Sequence, residues 1–304
     1  MNQDRPSPKI RALESGMQLS IIIPAFNEAA GIRPTLVQLA DTMATSGIVH
    51  EIIVVDDGST DGTSEELRKL AEELEVLQLV VHQRNRGYGA ALKSGIHSAE
   101  ADIVAITDAD GTYPNERIPE LYHRLLSDRA DMVVGSRTGA NVHIPLARRP
   151  AKAFLRALAN YLSGHPIPDL NSGLRVMRKE PIVRRFNLVS DGFSFTTTTL
   201  MALLARGHHV VFVPIDYHHR TGASKIRPIY DTFNFVVLIL RVSVFFEPLK
   251  IFLPVTLMLF LLGFVVGVVQ LLQGDLGDVT ATILAAALQV GLVGLLADMI
   301  SRRN

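Results

Sequence analysis

Two aspartates that flank one small residue, Asp108 and Asp110, close an apolar run that begins at Ile103. Such a run is typical of a buried strand, and Gly111 and Pro114 mark a turn after it. Because side chains alternate along an extended chain, both carboxylates are expected on one side, where they reach one hard cation. A Mg²⁺ or Mn²⁺ ion held by only two carboxylates keeps positions open for the phosphate oxygens of a nucleoside diphosphate. The alternative is a capped strand end whose aspartates make only local turn bonds.

The elements that must position these aspartates alternate between strands and helices. Helical patterns run from Ile32 to about Ser46, from Thr63 onward, and after Asn85. The alternation predicts a parallel sheet with helices on both faces, and ligands bind such sheets beyond the carboxyl ends of the strands. Polar clusters follow those ends, which favours a single site there. The predicted strands are Leu19–Ile23, Glu51–Val55, Leu77–His82, the run ending in Asp108 and Asp110, Met132–Gly135 and Val210–Tyr217.

Composition narrows the class of protein. The 304 residues include 30 basic and 30 acidic side chains, so no whole-chain attraction to nucleic acid is expected. The absence of cysteine excludes disulfides and thiolate metal sites and is compatible with a reducing compartment. Residues 1–17 are polar, without the apolar core of a secretory signal, and are predicted to be a disordered tail.

The C-terminal part contains two uncharged stretches, Ile251–Leu272 and Val279–Ala297. Each approaches the roughly 20 residues that a helix needs to cross a bilayer, so we predict a transmembrane hairpin with spans 249–272 and 279–299. A buried hairpin of a soluble protein is the alternative. The linker 273–278 lacks Lys and Arg, so the positive-inside rule places the domain that precedes the hairpin and both termini in the cytoplasm, at a bacterial inner membrane or its equivalent. The basic residues near the two stretches lie at the ends opposite this linker, and they are Lys225, Arg227, Arg241, Lys250, Arg302 and Arg303.

Four motifs occur in a fixed order: Ile23–Glu28, Val55–Thr63, Asn85–Ala90 and Asp108–Asp110. Together they resemble the family 2 glycosyltransferases, which implies the GT-A fold, a Rossmann-like α/β architecture with a mostly parallel sheet. Three later motifs resemble one branch of that family, the polyprenyl-phosphate sugar synthases, which include dolichyl-phosphate mannosyltransferase and undecaprenyl-phosphate glucosyltransferases. These motifs are Gly135–Arg137, Asp169–Arg175 and Arg220–Lys225.

The resemblance runs from about Leu19 to Lys225 and implies a division of the chain. We predict a GT-A catalytic domain over 18–225, a juxtamembrane interfacial helix over 226–248 and the hairpin over 249–304. A third crossing by 226–248 would bury Arg241, whereas a helix along the cytoplasmic leaflet lets Arg241 snorkel. Relatives are often oligomeric, so a homo-oligomer is possible by analogy.

The resemblance also assigns roles to single residues. A UDP- or GDP-linked sugar would be the donor, with Mg²⁺ or Mn²⁺ on its diphosphate. Asp108 and Asp110 would bind the metal. Thr112 stands where some relatives carry Gln, and its hydroxyl can bind the ion or hold one of its waters. The implied nucleotide-sugar residues are Pro24, Phe26, Glu28, Asp57, Gly87, Asp108 and Lys225.

The implied acceptor is undecaprenyl or dolichyl phosphate. A lipid monophosphate carries about −1.5 to −2 charge near neutral pH, so it is already a nucleophile and needs no general base. It must nevertheless approach a diphosphate, so cationic side chains are expected to surround it. Asp110, Arg137 and Arg220 are the predicted catalytic residues, and Arg175 is one further cation. The predicted acceptor-phosphate residues are Arg148, Arg149, Lys152, Arg220, Ser224 and Lys225.

Two other functions remain open from the sequence. A glycosyltransferase acting on a saccharide hydroxyl would need a general base, and Asp191 is the candidate. A silent membrane scaffold that only binds nucleotide sugars is the second. The chain has no Trp, which excludes processive synthases with a Gln-x-x-Arg-Trp motif. Residues Thr196–Thr199 replace an acidic residue often found nearby in relatives, and the sequence offers no physical reason for it.

Overall fold

The computed structural model describes residues 16–138, 149–187, 189–192, 194–217, 236–237, 239–241, 243–245, 247–273 and 278–303. For 149–152 and 302–303 it describes the backbone only. Several predictions from the sequence therefore lie outside the described residues. They concern residues 1–15 of the tail, most of the segment 226–248, the side chains of Arg149 and Lys152, and Arg148, Arg220, Ser224 and Lys225.

The described part contains a seven-stranded sheet with the order β3-β2-β1-β4-β6-β5-β7. All neighbours pair in parallel except β6, which runs antiparallel to both β4 and β5. The predicted mostly parallel sheet is confirmed, and each predicted strand is present with small differences at its ends. The strands are β1 (Leu19–Ala25), β2 (His50–Asp56), β3 (Leu77–Val81), β4 (Ile103–Ile106), β5 (Met132–Ser136), β6 (Arg175–Arg178) and β7 (Val210–Pro214).

Helices cover both faces of this sheet. They are α1 (Ile32–Ala44), α2 (Thr63–Glu73), α3 (Tyr88–Ser98), α4 (Ile118–Ser127), α5 (Arg149–Ser163), α6 (Lys179–Val183) and α7 (Phe195–Ala205). Apolar residues of α1, α2 and α4 form one core with the sheet. Residues of α3, α5, α6 and α7 form a second core on the opposite face. Strands β1, β2, β4 and β5 are buried on both sides, which explains why they are largely apolar runs.

Strand β6 is the main feature that the sequence prediction missed. It is only four residues long and includes two arginines, Arg175 and Arg178, so it lacks the apolar run of its neighbours. Because β6 runs antiparallel, the chain that leads into it lies at the carboxyl ends of β4 and β5. The loop Asp169–Gly173 is thereby brought to the edge of the sheet where the predicted site lies.

A second correction concerns the aspartates. Strand β4 ends at Ile106, so Asp108 and Asp110 lie in the turn after the strand rather than within it. Thr107 still donates its backbone N–H to Ile22 O (3.2 Å), but the chain then leaves the sheet. Gly111 closes the turn with φ +69°, a left-handed conformation that favours glycine. Both aspartates are partly exposed in this turn, while Ala109 between them is buried.

The C-terminal hairpin consists of α8 (Leu249–Leu272) and α9 (Asp278–Arg303). Their most apolar windows have mean hydropathies of 2.6 and 2.1, and only 11% of each window is buried inside the protein. Both helices are long and apolar enough to cross a membrane, and their exposed surface does not fit the buried soluble hairpin. Four glycines allow close contact between them: Gly263, Gly267, Gly291 and Gly294.

The hairpin is joined to the catalytic domain at the first turn of α8. Tyr161 of α5 donates its hydroxyl to Lys250 O (3.2 Å), and Lys250 Nζ donates to Leu162 O (3.0 Å). The described residues of 236–245 are helical. Within them Ile239 is fully buried in the second core, while Arg241 is exposed.

Candidate active site

The loop after β1 and the loop after β2 are tied together at the carboxyl edge of the sheet. Asn27, in the left-handed region at φ +56°, donates its backbone N–H to Ser59 Oγ (3.0 Å) and accepts from Thr60 N–H at Oδ1 (2.8 Å). Glu28 N–H donates to Thr63 Oγ1 (2.9 Å). The Phe26 side chain is 41% exposed at this edge, which is unusual for a large apolar side chain. Of the predicted nucleotide residues in the first motif, Phe26 is exposed and Glu28 is partly exposed on this double loop, whereas Pro24 is buried in β1.

Asp57 is more enclosed than the sequence prediction assumes. Its two carboxylate oxygens accept the backbone N–H groups of Arg86 (2.9 Å) and Gly87 (2.8 Å). His82 Nδ1 lies 2.6 Å from Asp57 Oδ1, and its Nε2 lies 2.9 Å from Ser94 Oγ. Asp57 is 3% exposed, so its evident role is to hold the loop before α3 in place. The sequence prediction missed His82, since its partner lies 25 residues earlier in the chain.

The start of α3 packs against the segment that contains Asp191. Gly87 has φ +102°, and a Cβ on it would come 2.7 Å from Asp191 O, so glycine is required on both counts. Ala90 N–H donates to the same carbonyl oxygen (2.9 Å). Lys93 Nζ donates to Val189 O and to Asp191 Oδ1, both at 2.6 Å. The carboxylate proposed as a general base in the alternative function is thus paired with an ammonium group.

The three predicted metal-site residues, Asp108, Asp110 and Thr112, lie in the turn after β4. Tyr88 donates its hydroxyl to Asp108 Oδ1 (2.9 Å). Thr112 donates both its backbone N–H (3.1 Å) and its hydroxyl (2.6 Å) to Asp110 Oδ1. Thr112 is 1% exposed, and in this structure its hydroxyl orients the Asp110 carboxylate. Burial, together with the neighbouring Asp108 charge, raises the pKa of Tyr88 well above its ordinary value, so this phenol remains a hydrogen-bond donor.

The loop before β6 covers the back of the aspartates. A Cβ on Gly173 would lie 3.0 Å and 3.1 Å from the two carboxylate oxygens of Asp108 and 3.0 Å from Tyr113 Cε2. Gly173 N–H donates to the hydroxyl of Tyr113 (2.7 Å), and Tyr113 is 4% exposed. The sequence marks Gly173 only as part of a motif, and the close approach means that a side chain there would displace the Asp108 carboxylate or the Tyr113 ring.

Arg137 forms a two-point pair with Asp169. Its Nε and Nη2 donate to Asp169 Oδ2 (2.7 Å) and Oδ1 (2.9 Å), and Nη2 also donates to Asn171 Oδ1 (2.8 Å). The guanidinium lies 5.3 Å from the centre of the Tyr217 ring, which is a cation–π distance. Burial alone would lower the pKa of Arg137, but the hydrogen bonds to Asp169 outweigh it and raise that pKa. Arg137 is at the expected edge, and its catalytic role stays a prediction.

Arg175 corrects the predicted set of cations. It is fully buried and donates to three carbonyl oxygens, Ser172 O (2.8 Å), Thr196 O (2.6 Å) and Leu170 O (3.1 Å). Burial lowers its pKa to about 10. It therefore lies beneath the loop 169–173 and supports it instead of facing a phosphate. Thr196 belongs to the run Thr196–Thr199, whose four residues are all buried at the start of α7.

The donor set fits a hard divalent ion. Carboxylate oxygens are the ligands that Mg²⁺ and Mn²⁺ prefer, and Asp108 and Asp110 are both partly exposed and oriented by neighbours. Among the described residues there is no group of three or more His, Asp or Glu side chains that would enclose a metal. A two-carboxylate site of this kind leaves coordination positions for substrate oxygens.

Comparison with protein families gives two matches. Residues 20–186 match the model described as glycosyl transferase family 2. Residues 247–302 match the model described as the GtrB C-terminal hairpin. The first match covers all but the first residue of the strands β1 to β6 and includes the turn with Asp108 and Asp110, and the second covers all but the last residue of α8 and α9.

Individual relatives are named for transfer of sugars to polyprenyl phosphates. The dolichyl-phosphate hexose transferase of Haloferax volcanii is 31% identical over 212 residues, covering 69% of this chain and 87% of that protein. The dodecaprenyl-phosphate galacturonate synthase of Rhizobium johnstonii is 27% identical over 307 residues, covering 94% of this chain and 88% of that protein.

A solved structure gives the same fold. The glucosyl-3-phosphoglycerate synthase of Mycobacterium tuberculosis, in complex with Mn²⁺, UDP and phosphoglyceric acid, superimposes with a TM-score of 0.57 at 21% identity. The match covers 79% of this chain and 84% of that protein. The similarity confirms the GT-A architecture predicted from the motifs.

Proposed function

Because the chain belongs to glycosyltransferase family 2, we propose that it transfers one sugar from a UDP- or GDP-linked donor to a polyprenyl phosphate. That it is a glycosyltransferase follows from the family and sets aside the silent scaffold. Its relatives are polyprenyl-phosphate sugar transferases, and its C-terminal hairpin associates it with a membrane. We propose the donor, the individual acceptor, the metal and the roles of the residues. We also propose the domain limits 18–225, 226–248 and 249–304.

One observation carries the proposal. Asp108 and Asp110 lie partly exposed beyond the carboxyl end of β4, in a chain that continues into two membrane-length apolar helices. The carboxylates suit a diphosphate bound with a divalent ion, and the hairpin keeps the site near lipid. A lipid phosphate is an acceptor that satisfies both features.

Donor binding falls to the loops at the carboxyl edge. Phe26 offers an exposed ring for the nucleotide. Asp57 accepts the N–H of Gly87 and so holds the loop that carries Gly87. Asp108 and Asp110 would hold Mg²⁺ or Mn²⁺, which when bound neutralises charge on the diphosphate. Tyr88 and Thr112 orient these two carboxylates by hydrogen bonds.

The transfer step needs no proton removal. A phosphate oxygen of the acceptor forms a bond to the anomeric carbon of the sugar, and the bond from that carbon to the diphosphate oxygen breaks. The electron pair leaves with the nucleoside diphosphate. Attack from the opposite side inverts the configuration, so an α-linked donor gives a β-linked product. Arg220 and Lys225, with Arg148, Arg149, Lys152 and Ser224, are proposed to hold the acceptor phosphate, because guanidinium and ammonium groups reduce its repulsion from the donor.

The hydroxyl-acceptor alternative gains no support from the geometry. Its candidate base, Asp191, accepts a hydrogen bond from Lys93 Nζ at 2.6 Å, and Asp191 O accepts the N–H of Ala90. Asp191 thus has an evident structural role in holding its segment against α3.

The test uses the full-length protein reconstituted in lipid vesicles. Radiolabelled UDP-glucose, UDP-galactose, UDP-galacturonate and GDP-mannose are supplied singly with Mg²⁺ or Mn²⁺ and a polyprenyl phosphate. The expected result is label in the organic-solvent phase with one donor, abolished by EDTA and in the Asp110→Asn variant. Release of the label by mild acid, as expected for a sugar phosphate, identifies the linkage.

Two other results would contradict separate parts of the proposal. Label that appears only in water-soluble glycans, with no dependence on polyprenyl phosphate, would overturn the lipid acceptor. Label that enters the lipid phase undiminished in EDTA would overturn the metal assignment while leaving the acceptor in place.

A further inference from the structure

The Tyr217 ring contacts two separate parts of the candidate site. Its centre lies 5.3 Å from the centre of the Tyr113 ring, with an angle of 72° between the two ring planes. The guanidinium carbon of Arg137 also lies 5.3 Å from the centre of the Tyr217 ring. These are the distances of an edge-to-face aromatic pair and of a cation–π contact. One ring thus joins a predicted catalytic cation to the segment that carries Asp108 and Asp110.

The end of β7 determines where this ring lies. Strands β5 and β7 pair in parallel as far as Ser136 and Pro214, so the chains that leave them emerge side by side. Ile215 continues this course, since its N–H donates to Ser136 O (2.8 Å). Strand β4 lies three positions away from β7 in the sheet, which is about 14 Å at the ordinary strand spacing. The side chains of Tyr217 and Tyr113 span this gap across the ends of β5 and β6.

The hydrogen bonds of Arg137 leave one of its nitrogens available. Nε and Nη2 donate to the Asp169 carboxylate, and Nη2 donates also to Asn171 Oδ1. Nη1 forms no hydrogen bond with any residue that the structure describes. The side chain of Arg137 is 18% exposed, whereas that of Asp169 is 1% exposed. Because the Tyr217 ring keeps water from part of the guanidinium, the attraction of this cation for an anion is strengthened.

We propose that Tyr217 is a positioning residue of the transfer site, which acts through Arg137 on the phosphate of the acceptor. Its ring holds the guanidinium against the pull of a bound anion, and its contact with Tyr113 fixes the distance of this cation from the aspartates. Tyr113 is itself anchored, because its hydroxyl accepts the N–H of Gly173 (2.7 Å). The inference rests on the proposed transfer to a polyprenyl phosphate, and it adds a residue that lies outside every predicted motif.

The test compares Tyr217→Phe and Tyr217→Leu in the full-length protein reconstituted in lipid vesicles. The acceptor is undecaprenyl phosphate, and the donor is the radiolabelled nucleotide sugar that labels the lipid phase. Initial rates are measured against each substrate while the other is saturating, and thermal unfolding is recorded for every variant. Tyr122→Leu is the matched control, because Tyr122 also packs in the first core but belongs to α4.

The expected result for Tyr217→Leu is a KM for undecaprenyl phosphate raised about 5-fold or more, with the KM for the donor changed less than about twofold. Tyr217→Phe keeps the ring and should behave as the wild type. The control should lose thermal stability as Tyr217→Leu does, but keep both KM values. Equal changes of the two KM values in Tyr217→Leu, or no change in either, would overturn the proposal.

A second comparison tests whether Tyr217 acts through Arg137. Arg137→Gln removes the cation that the ring contacts, so adding Tyr217→Leu should raise the KM for undecaprenyl phosphate by less than about twofold further. Full additivity of the two changes would contradict the proposal. A wild type that transfers no sugar to undecaprenyl phosphate would overturn the proposed function and this role together. An active wild type with an unchanged KM in Tyr217→Leu would overturn the role alone.

Discussion

Gly173 lies against Asp108 so closely that a methyl group on Gly173 would come within 3.0 and 3.1 Å of the two carboxylate oxygens. The two residues are 65 positions apart in the chain and meet because β6 runs antiparallel beside β4. Gly173 also donates its N–H to Tyr113, which fixes its position. Because Gly173 has no side chain, it leaves the space that the Asp108 carboxylate, a proposed metal ligand, occupies.

The Gly173→Ala variant is expected to lose activity by about 10- to 100-fold, because a misplaced carboxylate weakens electrostatic stabilisation of the departing diphosphate. The concentration of Mg²⁺ or Mn²⁺ for half-maximal rate should rise. Steady-state rates over a metal titration measure both effects. Gly62→Ala is the matched control, since its Cβ would meet only Ala29 Cβ at 3.8 Å. Unchanged metal dependence in Gly173→Ala would contradict the role of Asp108.

Replacing Asp110 with Asn should lower the rate by about 100-fold or more while the protein stays folded. Asp110 is partly exposed, and an Asn Oδ1 can still accept the two hydrogen bonds from Thr112, so the substitution removes the charge and keeps these two bonds. Turnover and thermal unfolding are measured together. Asp128→Asn, at an exposed ion pair on α4, serves as the control and should retain normal turnover. Near-normal turnover in Asp110→Asn would show that the metal assignment is wrong.

The ion pair of Arg137 and Asp169 is expected to contribute more to the free energy of unfolding than a surface ion pair does. Asp169 is 1% exposed, so Asp169→Ala leaves a mostly buried guanidinium without its carboxylate and should cost about 3–5 kcal/mol of stability. Denaturant unfolding measures the change. The double variant Arg137→Met, Asp169→Ala should recover part of the loss, because the unpaired charge is removed. Simple additivity of the two single changes would rule out the coupling.

Asp191→Asn separates the two acceptor classes. A phosphate acceptor needs no general base, so transfer to polyprenyl phosphate should stay within about threefold of the normal rate, and the exposed pair with Lys93 should contribute only about 0–1 kcal/mol to stability. Lys93→Met, which breaks the same ion pair, is the control for structural effects. A fall of several orders of magnitude in Asp191→Asn alone would favour the hydroxyl acceptor.

Arg220→Ala should raise the KM for polyprenyl phosphate about 10-fold or more and change the KM for the nucleotide sugar little, because a lost charge-assisted hydrogen bond to phosphate weakens acceptor binding. Initial rates are measured against lipid concentration at saturating donor. Arg241→Ala, at an exposed position of the described juxtamembrane residues, is the comparison. An unaltered dependence on lipid concentration would refute the role of Arg220.

The sequence alone determined the class of fold and predicted the edge of the sheet where the site lies. The apolar runs that precede Pro24, Asp57 and Asp108 are local signals, since residues buried on both sides of a sheet must be apolar wherever they occur. The two uncharged C-terminal stretches are equally local, because bilayer thickness sets their length. The family motifs added the order of the loops and hence the enzyme class.

Only the tertiary structure decided which polar side chains are open at the predicted site and which are buried beneath it. Arg175 has a side chain of the kind that binds phosphate, yet it is buried beneath the loop before β6. Both carboxylate oxygens of Asp57 accept hydrogen bonds from neighbouring backbone N–H groups. The contacts of His82 with Asp57 and of Gly173 with Asp108 join residues far apart in the chain. Such pairings depend on strand order and on the direction of β6. The sequence of this short strand, with its two arginines, does not predict that direction, because burial and hydrogen bonding are properties of the whole packed sheet.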